Sequence, residues 1–155
     1  MAATAPRFDR MVPAAPDSIG ALRRELRRWA RRQGAPPSVE ANVALAFSEA
    51  CTSVVAPDAP PDATDAGPLI LEAWRDDGEI SVRVSHRFRG AASRPVGETP
   101  VGYGFSLALM ATLCDRFEVY RREEQPGTAV LMAFRLAPES ERSSLPQPSR
   151  SSPRR

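Results

Sequence analysis

Apolar positions recur along the chain with two different periods, and the changes between them outline the elements. Ile19, Leu22, Leu26 and Trp29 fall at helical spacing and predict a helix over 18–33. Asp17 or Ser18 can cap its start, Gly34 is a natural stop, and Pro36-Pro37 follow. A second helix over 38–55 carries the stripe Val39, Val43, Phe47, Ala50 and Val54, with Ser38 as its cap. Residues 56–68 hold four prolines and no period, which reads as a loop. The period then drops to two. Strands are predicted over 69–75 and 79–85, joined by the hairpin signal Asp77-Gly78. Ile80, Val82 and Val84 alternate with Glu79, Ser81 and Arg83, so one face of that strand is buried. Residues 86–103, with three glycines and two prolines, return to loop. A third helix over 104–113 turns Phe105, Leu109, Met110 and Leu113 inward; strands 117–121 and 128–136 flank a turn at Gln125-Pro126-Gly127. A short edge strand near 7–12 precedes all of this.

This order predicts an α/β, two-layer sandwich: a mixed, mostly antiparallel sheet with the three helices packed on one face. Three stretches divide the 155 residues: an N-terminal segment 1–16, a domain 17–136, and a Ser/Pro/Arg-rich tail 137–155 expected to be disordered. Segments 56–68 and 86–101 are expected to be poorly ordered without ligand.

Charge adds little to the fold but narrows the function. All 21 basic residues are arginine, and net charge is +2. The tail carries +2 and residues 1–16 carry +1, so residues 17–136 sit at −1. A near-neutral domain argues against a dedicated nucleic-acid binder. Arg23, Arg24, Arg27, Arg28, Arg31 and Arg32 form an arginine face on the first helix, a solvated face first and a surface for an acidic partner or nucleic acid second. Cys51 and Cys114 lie in apolar helical patterns and read as reduced core thiols. No apolar run approaches the ~20 residues of a membrane span, and no signal-peptide pattern opens the chain, so a cytoplasmic protein is expected. His86 is the sole histidine and reads as a loop residue; Trp29 and Trp74 read as core or interface anchors.

Candidate chemistry is sparse. Glu49 and Ser53 stand four apart on one face of the second helix. Gly102-Tyr103-Gly104 sits directly before a helix, where backbone N–H groups can hold an anion. Four blocks in order carry a resemblance: LAFSEACTSVV (45–55), GEISVRVSHRFRG (78–90), GYGFSLALMATLCDRFEV (102–119) and PGTAVLMAFRL (126–136). Together they resemble the anti-sigma-factor serine/threonine kinases of the GHKL, or histidine-kinase-like, ATPase superfamily, across roughly residues 7–136.

The resemblance implies ATP and Mg²⁺ as cofactors, and a sigma factor or an anti-sigma antagonist as partner, with a homodimer open. Glu49 takes the place of the general base; Ser53 stands where an asparagine holds Mg²⁺. Ser85 stands where an aspartate bonds the adenine amino group, and Arg87 where a glycine follows it. Gly102 and Gly104 take phosphate-loop places, Ser106 replaces a further glycine, and Thr128 matches a threonine that seats adenine. A serine hydroxyl is shorter than a carboxamide, and Mg²⁺ demands near-ideal octahedral geometry. The expectation is therefore an anti-sigma-factor-like, partner-switching regulator with weakened or lost ATP binding. An active serine/threonine kinase and an arginine-helix nucleic-acid binder are the alternatives.

Overall fold

The computed structural model describes residues 5–55, 67–86, 108–121 and 128–137. The elements run β1 (Arg7–Pro13), α1 (Pro16–Arg32), α2 (Pro37–Val55), β2 (Pro68–Asp76), β3 (Glu79–His86), a helical segment α3 over 108–113, β4 (Arg116–Arg121) and β5 (Thr128–Arg135). The strands form one sheet in the order β1-β2-β3-β5-β4. The sheet expected to be mixed and mostly antiparallel is antiparallel in all four described pairings. The start of the third helix, the loop stretches 56–66 and 87–101, the turn at 125–127 and the tail from 138 lie outside the described residues.

The β2–β3 hairpin closes as the sequence signal requires. Asp77 and Gly78 both take positive φ, 42° and 78°, the primed turn that matches strand twist. One face of the sheet then carries Phe8, Leu69, Leu71, Ala73, Ile80, Val82, Val84, Val130, Met132 and Phe134, all in one core with Leu22, Leu26, Trp29, Val43, Phe47, Ala50 and Val54 from the helices. The predicted apolar stripes of α1 and α2 are thus the buried ones.

The helix starts differ from expectation. α1 begins at Pro16 with Ala15 as its N-cap and no side-chain cap bond; Asp17 and Ser18 lie inside the helix. α2 begins at Pro37, one residue before the expected cap Ser38. In both cases proline at the start supplies a fixed φ and lacks an N–H that would need a partner, so the helix begins at it. α1 ends as predicted: Gly34 has φ 89°, and the Ala35 N–H reaches back to the Ala30 carbonyl at 3.1 Å, the Schellman pattern.

The arginine face of α1 is two rows. Arg23, Arg27 and Arg31 turn toward α2. Arg27 Nε donates to Glu40 Oε1 at 2.6 Å, Arg31 to both Glu40 oxygens at 2.7 and 3.1 Å, and Arg23 to Ser48 Oγ at 3.4 Å. Arg24, Arg28 and Arg32 point outward and are exposed. The two rows are one residue apart, about 100° around the helix. Glu40 is only 3% exposed, so its charge would be costly without the clasp.

No helix among the described residues is long and apolar enough to cross a membrane.

The clasp makes a testable pH dependence. The Arg31 hydrogen bonds, opposed by burial and aided by Arg27, hold the Glu40 carboxyl below its ordinary range. A depressed folded-state value stabilises the fold above the unfolded value and is lost as pH falls through the folded one. Thermal melts from neutral pH into acid should show this loss below the ordinary carboxylate range. Glu40→Gln should lower the midpoint at neutral pH and flatten the acid-side slope.

Candidate functional site

The printed contacts fix which ends of the elements meet. Phe8 stacks near Trp29 with ring centroids 6.0 Å apart, while Arg10 pairs with Glu25 at 3.0 Å. Later residues of α1 therefore meet earlier residues of β1, and the two run antiparallel. Arg31 and Arg27 meet Glu40, and Arg23 meets Ser48, so α2 runs antiparallel to α1. β3 is antiparallel to β2, which is antiparallel to β1. Hence α2 and β3 point the same way, and α2, β3 and β4 end at one end of the molecule, where β2 and β5 begin.

At that end one flank of α2 faces away from α1. Nine residues at about 100° each carry Glu49 about 180° around α2 from Glu40. Glu40 is held by α1, so half-buried Glu49 lies on the side away from α1. α2 packs over β3 and β5. The Asp115 N–H after α3 bonds to the Ala133 carbonyl of β5 at 3.0 Å. Glu49 thus overlooks the β5–β4 side of the sheet, toward α3. Ser53 follows one turn later on α2, and its side chain lies outside the described residues.

The end of β3 departs from the sequence reading. The sequence suggests a loop residue at His86; it closes β3 instead, 2% exposed. Side chains alternate along a strand, and Val82, Val84 and His86 share the face of the core, His86 opposite Leu69. Its Nε2 lies 2.9 Å from the Gly67 carbonyl, across the start of β2. Ser85 points to the other face, opposite Ile70 and Ala129, neither of which joins the core. It is 3% exposed, and among the described residues its Oγ has no hydrogen-bond partner. The sheet therefore stands between Ser85 and Glu49, and the residue that β3 turns toward α2 is His86. The signal was present in the sequence: extending the alternation of Val82 and Val84 by two reaches position 86.

Of the remaining expected site residues, Gly102, Gly104, Ser106 and Arg87 lie outside the described residues. Thr128 heads β5, paired with Arg121, at the same end as His86; its side chain is not described. Among the described residues no group of three or more His, Cys, Asp or Glu side chains converges to hold a metal. On its α2 side the end of β3 offers an imidazole tied to Gly67, and no carboxylate among the described residues. Neither cysteine offers a ready nucleophile, since burial pushes the Cys114 thiol up to about 12 and raises that of Cys51 further.

The family described as histidine kinase-like ATPase domain matches residues 12–134. Among solved structures, the chain is similar to the RsbU and RsbW domains of Rv1364c from Mycobacterium tuberculosis, with a TM-score of 0.63 at 20% identity. That likeness covers 84% of this chain and 32% of the other, so the chain spans about a third of its length. No curated protein matches the sequence.

The two neighbours at the end of β3 should respond oppositely to truncation. Ser85→Ala removes an unpartnered buried hydroxyl and should leave stability unchanged or raise it by up to about 1 kcal/mol. His86→Ala loses a hydrogen bond and opens a cavity, at a cost of about 2–4 kcal/mol. Urea unfolding of the two variants measures both.

Proposed function

The chain belongs to the histidine kinase-like ATPase domain family, and from that membership we propose that it is a bacterial regulator of the partner-switching type, with weakened or lost ATP binding. In this reading it binds a sigma factor or an anti-sigma antagonist in the cytoplasm, and the protein contact outlasts the kinase chemistry. The likeness in fold to a chain containing an RsbW domain supports it.

The observation that carries the ATP part is the end of β3. On the face toward α2 stands His86, bonded to Gly67; on the opposite face stands Ser85. Neither is the acid that would accept a bond from an adenine amino group. Removing such an acceptor from a buried contact costs about 1–3 kcal/mol, one to two decades of affinity. Ser53 in place of an asparagine loosens Mg²⁺ further. Phosphoryl transfer is mostly positioning, so poorly held phosphates lose rate even where some binding survives.

Glu49 favours a second reading, an active serine/threonine kinase. It lies on the flank of α2 that faces away from α1, as a base serving an incoming hydroxyl would. A base contributes only once nucleophile and phosphate are aligned, so we rank this reading second.

Calorimetric titration with Mg·ATP separates the two. The unaltered chain should show no micromolar binding. Ser53→Asn combined with His86→Asp should gain affinity, because that acid would face α2. Ser53→Asn combined with Ser85→Asp should not, because that acid would lie across the sheet. Micromolar binding by the unaltered chain, with serine phosphorylation of an antagonist lost in Glu49→Ala, would establish the kinase instead.

A further inference from the structure

We propose that Arg24, Arg28 and Arg32 form a docking row for an acidic helical segment of a partner protein. The inference rests on the reading of this chain as a protein-binding regulator and names the surface and chemistry of that contact.

Most arginines among the described residues are occupied. Arg27 and Arg31 hold Glu40, Arg23 reaches Ser48, and Arg10 pairs with Glu25. Arg7 and Arg83 reach Glu72, Arg116 reaches Glu79, and Arg75 bonds the Gln33 carbonyl. Arg24, Arg28 and Arg32 are exposed, and among the described residues they make no ion pair or hydrogen bond. They are also consecutive members of one i, i+4, i+8 series. Like charges at that spacing repel along the helix; only Arg32, in the last turn, complements the helix dipole. The adjacent row holds α1 to α2.

The geometry suits a carboxylate row. Four residues of helix advance about 6 Å, so the three guanidiniums span about 12 Å. A partner helix lying alongside, with Glu or Asp at i, i+4 and i+8, presents its carboxylates at the same step. Guanidinium forks take carboxylates two bonds at a time. The core beneath the row does not move to receive such a partner, since Leu22, Leu26 and Trp29 lock the opposite side of α1. Nucleic acid is the less favoured ligand: residues 17–136 carry a net −1, whereas phosphate-backbone binding draws on many more cations than three.

The test is fluorescence anisotropy with a labelled alanine-based helical peptide carrying glutamates four apart. Its glutamine counterpart and a generic DNA duplex serve as competing probes. The chain should bind the glutamate peptide, and Arg24→Ala/Arg28→Ala/Arg32→Ala should weaken that binding at least about tenfold. Arg7→Ala/Arg116→Ala/Arg135→Ala, matched in charge, should change it by less than about twofold. Arg24→Lys/Arg28→Lys/Arg32→Lys keeps the charge without the fork and should fall between. Circular-dichroism melts confirm that each variant is folded. No binding of the glutamate peptide, equal loss in the two alanine triples, or tighter binding of the duplex than of the peptide would each overturn the proposal. Because none of these measurements involves nucleotide, the Mg·ATP titration stands or falls separately. An acidic-peptide site on a chain that also phosphorylates serine would leave this row intact and retire only the ATP part of the reading above.

Discussion

One face of a single antiparallel sheet has to be kept from water, and α1 and α2 do it together, with α2 over β3 and β5. β3 is the middle strand, hydrogen-bonded to β2 on one side and β5 on the other. Val82, Val84, Val130 and Met132 therefore sit beneath Phe47, Ala50 and Val54 with no freedom to slip. A one-residue shift of β3 would exchange both its faces. That is why the identity of the residue facing α2 at the end of β3 is a property of the whole sheet. His86 faces inward because Ile80 does.

α2 itself is fixed from the side. The two arginines of α1 grip Glu40 on one flank, and this sets the rotation of the helix about its axis. With that flank committed, the opposite one, carrying Glu49, has to face the β5–β4 side. The clasp and the candidate base are thus mechanically linked, although they do not touch. A buried carboxylate with two guanidiniums is a costly way to join helices, and once formed it is strongly destabilising to break.

Much of this was legible in the chain. The apolar stripes of α1 and α2, the alternation of β3 and the Asp77-Gly78 turn are local patterns with direct physical causes, and the structure follows each. The helices start earlier than the cap residues suggest, because proline at the first helical position outweighs a serine or aspartate cap one or two residues on. The arginine face looked like one surface because sequence spacing cannot say which side of α1 another helix will occupy. His86 is hidden for a different reason: the glycine- and proline-rich run after it suggests loop, while strand pairing with Leu69 carries β3 to its last inward position. The resemblance assigns Ser85 by its position along the chain, and position alone does not say on which face of the sheet a strand residue falls. Residues 102–106 lie outside the described structure, so their phosphate role stays with the resemblance.

The pairing of β1 with β2 has a kinetic consequence. Arg7 lies opposite Trp74 and Pro13 opposite Pro68, so this edge of the sheet closes a loop containing both helices. The β2–β3 hairpin, by contrast, turns over two residues. Closing the longer loop costs more chain entropy before any contact rewards it. Assembly should therefore begin at the hairpin and the α1–α2 pair and add β1 late. Before that last strand docks, the backbone edge of β2 is unpaired and open to other chains, which makes β1 a guard against misassembly as well as part of the fold.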